Sequence, residues 1–115
     1  MNIFEYYLSE IHNLILNHKD DLKLKNLDNL SSVNLEVPPE HFNFDLSCNI
    51  SLVLSKPNNI DSINLAKQIK DLFILEIKSF DKVEIAGPGF LNIKLSSAAL
   101  IKNINLIFEN DTTYG

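Results

Sequence analysis

Val83-Glu-Ile-Ala-Gly-Pro-Gly-Phe-Leu-Asn-Ile-Lys-Leu95 is the stretch whose reading decides the fold. Val83 and Ile85 alternate with Glu84 and Ala86, the period of a half-buried strand. Gly87-Pro88-Gly89 then reverses the chain, and two glycines flanking a proline make a tight turn that lets another backbone approach closely. Phe90 to Leu95 returns antiparallel, with Leu91, Ile93 and Leu95 on one face and Phe90, Asn92 and Lys94 on the other. If the aliphatic trio is buried, the second trio is left on the uncovered side, and a slip of one residue would exchange the two sets. An aromatic ring, a carboxamide and an ammonium in that order can stack on a base, read its edge and hold a phosphate. The plainer alternative is that Phe90 packs under a neighbouring element and Asn92 merely tops the sheet.

Working outward, Phe4, Tyr7, Leu8, Ile11, Leu14 and Ile15 form the stripe of an amphipathic helix ending near Asn17. His18 to Ser32 crowds charges and turn-forming residues, a connector whose leucines form at most a short helical turn. Val33, Leu35 and Val37 alternate with Asn34 and Glu36 as a strand that Pro38 and Pro39 terminate. After a loop through His41 and Phe42, Asp45 or Asn43 caps a helix carrying Leu46, Ile50, Val53 and Leu54, which Pro57 follows. Asn59 or Asp61 opens another, with Ile63, Ala66, Ile69, Leu72 and Phe73 inward, and the two helices are expected to pack together. Ser96 or Ser97 caps a last helix with Leu100, Ile101, Ile104, Ile107 and Phe108 inward, and Asn110 to Gly115 lacks periodicity. The sum is an α+β class, two-layer α/β domain: a short, mainly antiparallel sheet covered by helices on one face.

At 115 residues with 45% hydrophobic content, the chain makes one domain with a genuine core. The net charge is −5 and all ten basic residues are lysines. That balance argues against a free-standing, non-specific nucleic-acid binder, which needs a large positive footprint. Contacts of Lys94, Lys82 or Lys56 with phosphate would be weak and salt-sensitive. The single cysteine, Cys48, reads as a small buried hydrophobe within the helical pattern rather than a nucleophile. His12 and His18 lack the i, i+4 spacing of paired metal ligands and no Cys-x-x-Cys is present, so metal binding is not expected. Asp20-Asp21 and Glu109-Asp111 read as solvated charges, and the Gly-Pro-Gly turn lacks the Gly-Lys-Ser/Thr of a phosphate loop. No catalytic constellation emerges. The N-terminus lacks the pattern of a signal peptide and no apolar run is long enough to span a bilayer, so a cytoplasmic, non-membrane protein is the default.

Val83 to Leu95 closely resembles the signature near the end of the additional N-terminal domain of arginyl-tRNA synthetases. Leu35-Glu-Val-Pro-Pro, Phe44-Asp-Leu-Ser-Cys-Asn, Leu52-Val-Leu-Ser-Lys, Ser96-Ser-Ala-Ala-Leu and the terminal Tyr114-Gly115 resemble further parts of that domain, in order, from about Leu35 to Gly115. The resemblance implies the same two-layer architecture, with residues 1–110 as the tRNA-recognition domain and 111–115 as the start of a linker to an absent catalytic domain. Neither the His-x-Gly-His nor the Lys-Met-Ser-Lys-Ser signature of class I synthetases is present, so the fragment has no catalytic site and no cofactor of its own. ATP and magnesium are expected for the full-length arginine–tRNA ligase. The resemblance further implies a contact with the corner of the tRNA, where an unpaired D-loop base is held by an aromatic and an asparagine at positions matching Phe90 and Asn92. With Lys94, inferred from its face and charge, and the turn residue Gly89, these form the candidate tRNA-binding set. The expected partners are tRNA and the catalytic domain of the same polypeptide, with the protein a monomer. One departure stands out: the family commonly has Gly where this chain has Phe44, so either that turn is built differently or the glycine is not essential. Two alternatives remain, an interdomain docking module with Phe90 as apolar anchor, and a stand-alone RNA-binding domain.

Overall fold

A computed structural model describes residues 2–38 and 43–99. The reversal at Gly87-Pro88-Gly89 joins β3 (Phe80–Ala86) to β4 (Phe90–Leu95) in an antiparallel hairpin. On its other side β4 pairs antiparallel with β2 (Leu46–Cys48), which pairs in turn with β1 (Leu35–Glu36). The four-stranded sheet has the order β1-β2-β4-β3. The helices are α1 (Ile3–Asn17), α2 (Ile50–Ser55) and α3 (Ser62–Glu76), and a 3-10 turn occupies Leu30–Ser32. This is the two-layer α+β arrangement read from the sequence.

Leu91, Ile93 and Leu95 are buried among Ile50, Leu54, Leu65, Ile69 and Phe73 of α2 and α3. Full burial of an aliphatic side chain contributes roughly 1.5–3 kcal/mol, so a register slip that turned all three to water would forfeit about 5–9 kcal/mol. That approaches the whole stability of a domain this size, and it fixes which face of β4 is open. Tyr7 of α1 meets Phe80 of β3 at a ring separation of 5.3 Å, and Phe80 meets Phe73 of α3 at 5.3 Å. One aromatic chain therefore links three elements.

The helix entries follow their caps. Asn2 accepts from the Glu5 amide at 2.8 Å, and Asp61, one of the two residues expected to open α3, accepts from that of Asn64 at 3.0 Å. The connector between α1 and β1 has no ladder and is held by Asn58. Its side-chain oxygen accepts from the Lys25 and Asn26 amides at 2.8 Å each, and its nitrogen donates to the Asn26 and Leu54 carbonyls at 2.8 Å each. All four capacities of the carboxamide are used.

Three local readings are corrected. Leu46 to Cys48 is strand rather than helix, and α2 begins only at Ile50. Asp45 accordingly caps no helix: its amide donates to the Ile93 carbonyl and its carboxylate accepts from the Leu95 amide, both at 2.8 Å. Cys48 is buried as expected, but from a strand. In β1 the alternation stops early, since Val33 and Leu35 are buried while Val37 is 55% exposed. Phe44 is not among the residues with positive φ, which besides glycine are Lys23 and Asn59 among the described residues. The turn before β2 thus needs no glycine at that position. Ser96 accepts from the Ala99 amide at 3.1 Å, as the cap of the following helical residues. The expected loop through His41 and Phe42, the helix from Leu100 to Phe108 and the linker after Asn110 lie outside the described residues.

Candidate functional site

The side of the sheet away from α2 and α3 carries Glu36, Ser47, Asn92 and Glu84 in one cross-strand row, because Glu36 pairs with Ser47, Ser47 with Asn92 and Asn92 with Glu84. Phe90 stands two residues before Asn92 on the same side and is 39% exposed. At this point β2 ends: Cys48 pairs with Leu91, and the next residue, Asn49, turns away to accept from the Asn34 amide at 2.8 Å. No further residue of β2 therefore stands on the side of the ring facing β1.

The result is a groove of about 420 Å³, the size of a small-ligand cleft. Ala86, Gly87, Pro88 and Phe90 form one wall, Glu36 of β1 and the two residues after it, Val37 and Pro38, line the other, and Ser47 and Asn92 lie between them. It combines an apolar ring, an aliphatic edge and a few polar groups, the composition that holds a planar heterocycle.

The hairpin is not free to drift. Gly89 has φ +139°, and a Cβ there would stand 3.4 Å from both the Cβ and the carbonyl oxygen of Ser62. The backbone that approaches this glycine closely is thus the chain's own first residue of α3. The Ser62 hydroxyl donates to the Pro88 carbonyl at 2.7 Å, and the Ser51 hydroxyl donates to the Ser62 carbonyl. These bonds tie the turn to the starts of both α2 and α3.

Of the four candidate residues, the groove brings together Phe90 and Asn92. Gly89 is buried against Ser62 and does not line the groove. Lys94 is on the same face, opposite Lys82, and does not line the groove. Lys82 is engaged with Glu84 at 3.2 Å and its ammonium lies 5.9 Å from the centre of the Phe44 ring. Lys94 makes no ion pair with a described residue. Sequence reasoning missed the contribution of Glu36, Val37, Pro38 and Ser47. The signal available was Leu35-Glu-Val-Pro-Pro, but only the pairing of β1 with β2 places it across from Phe90.

Elsewhere, burial pushes the Cys48 thiol up to about 12, which removes it as a nucleophile. His18 sits at the C-terminus of α1, 3.1 Å from Asp21 through Nδ1 and in contact with Glu76 of α3 through Nε2. Hydrogen bonding to Asp21, with Glu76 adding to it, raises its pKa above the ordinary histidine value. No group of three or more potential metal ligands occurs among the described residues, and no described helix is long and apolar enough to cross a membrane.

Residues 9–95 match the family model described as the arginyl tRNA synthetase N terminal domain. The chain belongs to that family. It is 36% identical over its whole length to an arginine–tRNA ligase of Pelagibacter ubique and 33% identical, again over its whole length, to one of Bartonella bacilliformis. It is 40% identical over 70% of its length to a third, from Lawsonia intracellularis. The match covers 20%, 20% and 15% of those relatives respectively, so the chain spans about a fifth of their length or less. As a member of the arginyl-tRNA synthetase N-terminal family, it corresponds to a part of such an enzyme, and the groove beside Phe90 is a candidate site formed by described residues.

Proposed function

We propose that this chain is the tRNA-recognising N-terminal domain of a cytoplasmic arginine–tRNA ligase, and that Phe90 and Asn92 hold an unpaired base from the D-loop corner of the tRNA. The ATP-dependent attachment of arginine, with its magnesium, belongs to the remainder of the polypeptide. The observation that carries the reading is the partly exposed Phe90 ring beside Asn92 and Ser47, in a groove on the side of the sheet that α2 and α3 leave uncovered. A base inserted there would stack on Phe90 while the carboxamide of Asn92 offers its edge both a donor and an acceptor. Gly89 serves indirectly, by letting the turn close on Ser62 and so fixing where the ring stands. Lys94 contributes a single charge to the backbone that leaves the groove. With a net charge of −5, the domain supplements binding made elsewhere in the ligase rather than supplying it alone.

The test replaces Phe90 or Asn92 by Ala in the full-length ligase and compares aminoacylation with melting temperature. Stacking on one base contributes roughly 1–3 kcal/mol, so Phe90→Ala should lower kcat/KM for tRNA by about 5- to 150-fold with little change in Tm. Unchanged tRNA kinetics with a large fall in Tm would favour the docking role for this face instead. Titration of the 115-residue chain with tRNA separates the appendage from a self-sufficient RNA binder, because micromolar or tighter binding at physiological salt would require the latter.

A further inference from the structure

We infer that Phe44, Lys82 and Lys94 form a second RNA-contact site at the far end of β4, which takes the phosphate and the apolar face of a nucleotide neighbouring the one at Phe90. The inference rests on the reading of this sheet face as RNA-binding and extends it to residues that do not line the groove.

Phe44 stands where the family commonly has glycine, so a site built on its ring is a feature of this chain and not of the family pattern. Its place is fixed by the next residue. The Asp45 amide donates to the Ile93 carbonyl and the Leu95 amide donates to the Asp45 carboxylate, both at 2.8 Å, which holds Phe44 beside the end of β4. The ring is partly exposed, and the Lys82 ammonium lies 5.9 Å from its centre. Lys82 belongs to the side of the sheet away from α2 and α3, because its neighbour Val83 is buried in the core, and it pairs with Lys94 across the hairpin. An aromatic face next to two ammonium groups is the combination that holds an unstacked nucleotide.

The charges at this end are left unbalanced by the fold. Like charges directly opposite one another on neighbouring strands destabilise a sheet, and Lys82 faces Lys94 in this way. Glu84 offsets Lys82 at 3.2 Å, whereas Lys94 makes no ion pair with a described residue. The side chains of Lys82 and Glu84 are 54% and 50% exposed, so their pairing contributes little and Lys82 can turn to a phosphate at small cost. A phosphate between the two ammonium groups would relieve their repulsion. From Phe90 to Lys94 the strand advances roughly 13 Å. An RNA strand that leaves the groove along β4 therefore meets the lysines and the Phe44 ring with a neighbouring nucleotide.

The experiment measures kcat/KM for tRNA with the full-length ligase over a salt series, alongside melting temperature. Changing Lys82 and Lys94 together to Gln should lower kcat/KM about tenfold at ~50 mM salt and make its logarithmic salt dependence shallower by about 0.7 for each phosphate released. Lys67→Gln with Lys70→Gln, on α3 in the other layer, should change neither quantity. Phe44→Leu keeps an apolar side chain and removes the aromatic face. It should lower kcat/KM by about three- to fivefold, the lower end for stacking on one ring, with the salt dependence unchanged. An unchanged salt slope in the Lys82 and Lys94 double variant, or the same loss in the α3 pair, would overturn the site. Full activity of Phe44→Leu would remove the ring from it. If Phe90→Ala lowers kcat/KM while these variants do not, the inference alone falls. If Phe90→Ala is also without effect, the RNA-binding reading of the face falls with it.

Discussion

Gly89→Ala tests whether the hairpin that carries Phe90 is held from beneath. At φ +139° an alanine sits in a region that residues with a side chain essentially do not occupy, at a cost on the order of 1–3 kcal/mol. The added Cβ would also press on Ser62 at 3.4 Å from its Cβ and its carbonyl oxygen. The oxygen is backbone at the start of α3, so it cannot swing aside as a long side chain could. Together these set the loss at about 2–3 kcal/mol, and with about 4–8 °C per kcal/mol for a domain of this size the Tm should fall by roughly 10–20 °C. Gly87→Ala is the internal control. Its φ of +55° is ordinary left-handed backbone, and the nearest atom to an added Cβ is Phe90 Cδ2 at 4.0 Å. The cost there is about 1 kcal/mol, and Gly87→Asn should cost less, because asparagine tolerates this conformation. Thermal and urea unfolding followed by circular dichroism provide the comparison. Equal losses for the two alanine variants, or a Gly89→Ala chain as stable as the parent, would refute the claim that Ser62 and the turn are locked together.

Asp45→Ala should cost about 1–3 kcal/mol, because it leaves a part-buried Leu95 amide without its acceptor, and hydrogen exchange should report the loss specifically at Leu95. Retained protection there would contradict the strand role of Asp45. His18 gains stability from Asp21 and Glu76 when protonated, so its contribution is complete below its unfolded pKa near 6.5 and disappears as pH rises through the higher folded value. A pH series of thermal melts should show this decline starting above about pH 6.5, flattened in His18→Gln, and a rise over the same window would contradict it. Cys48, buried and with its thiol pushed up to about 12, should resist a thiol-specific disulfide reagent at pH 8 until the domain unfolds, so labelling rates should follow denaturant. Prompt labelling of the native chain would place that thiol outside the core.

The elements legible in the sequence are those specified locally. α1 and α3 carry long stripes at helical spacing, and the alternation through β3 and β4 leaves one consistent choice of buried face. Leu46 to Cys48 was ambiguous for a physical reason. Leu46, Ile50 and Leu54 are four apart and suit a helix, while Leu46 and Cys48 with Ser47 between them suit a strand, and a segment of three residues cannot decide between the periods. The decision comes from β4, through the pairing of Leu46 with Ile93 and the hydrogen bond that the Leu95 amide donates to the Asp45 carboxylate. The candidate site divides in the same way. Phe90 and Asn92 share a strand, and their common face followed from the pleat. Glu36, Val37, Pro38 and Ser47 reach the groove only because β2 lies beside β4 and β1 beside β2, a non-local arrangement with no local pattern to announce it. Gly89 was recognisable as a point of close backbone approach, but nothing near it in sequence named Ser62 as the neighbour.

The hydrogen bonds that run from Ser51 to Ser62 and on to Pro88 give the hairpin a fixed seat on two helix starts. An aromatic platform mounted in this way behaves as an anvil: whatever meets it must adopt the matching shape itself, as is usual when a receptor surface hardly shifts. For a nucleic-acid loop, the slow event would then be the swing of its own base out of the stack. The temperature dependence of association would accordingly mirror the loop's unstacking, with the protein backbone contributing almost none of it.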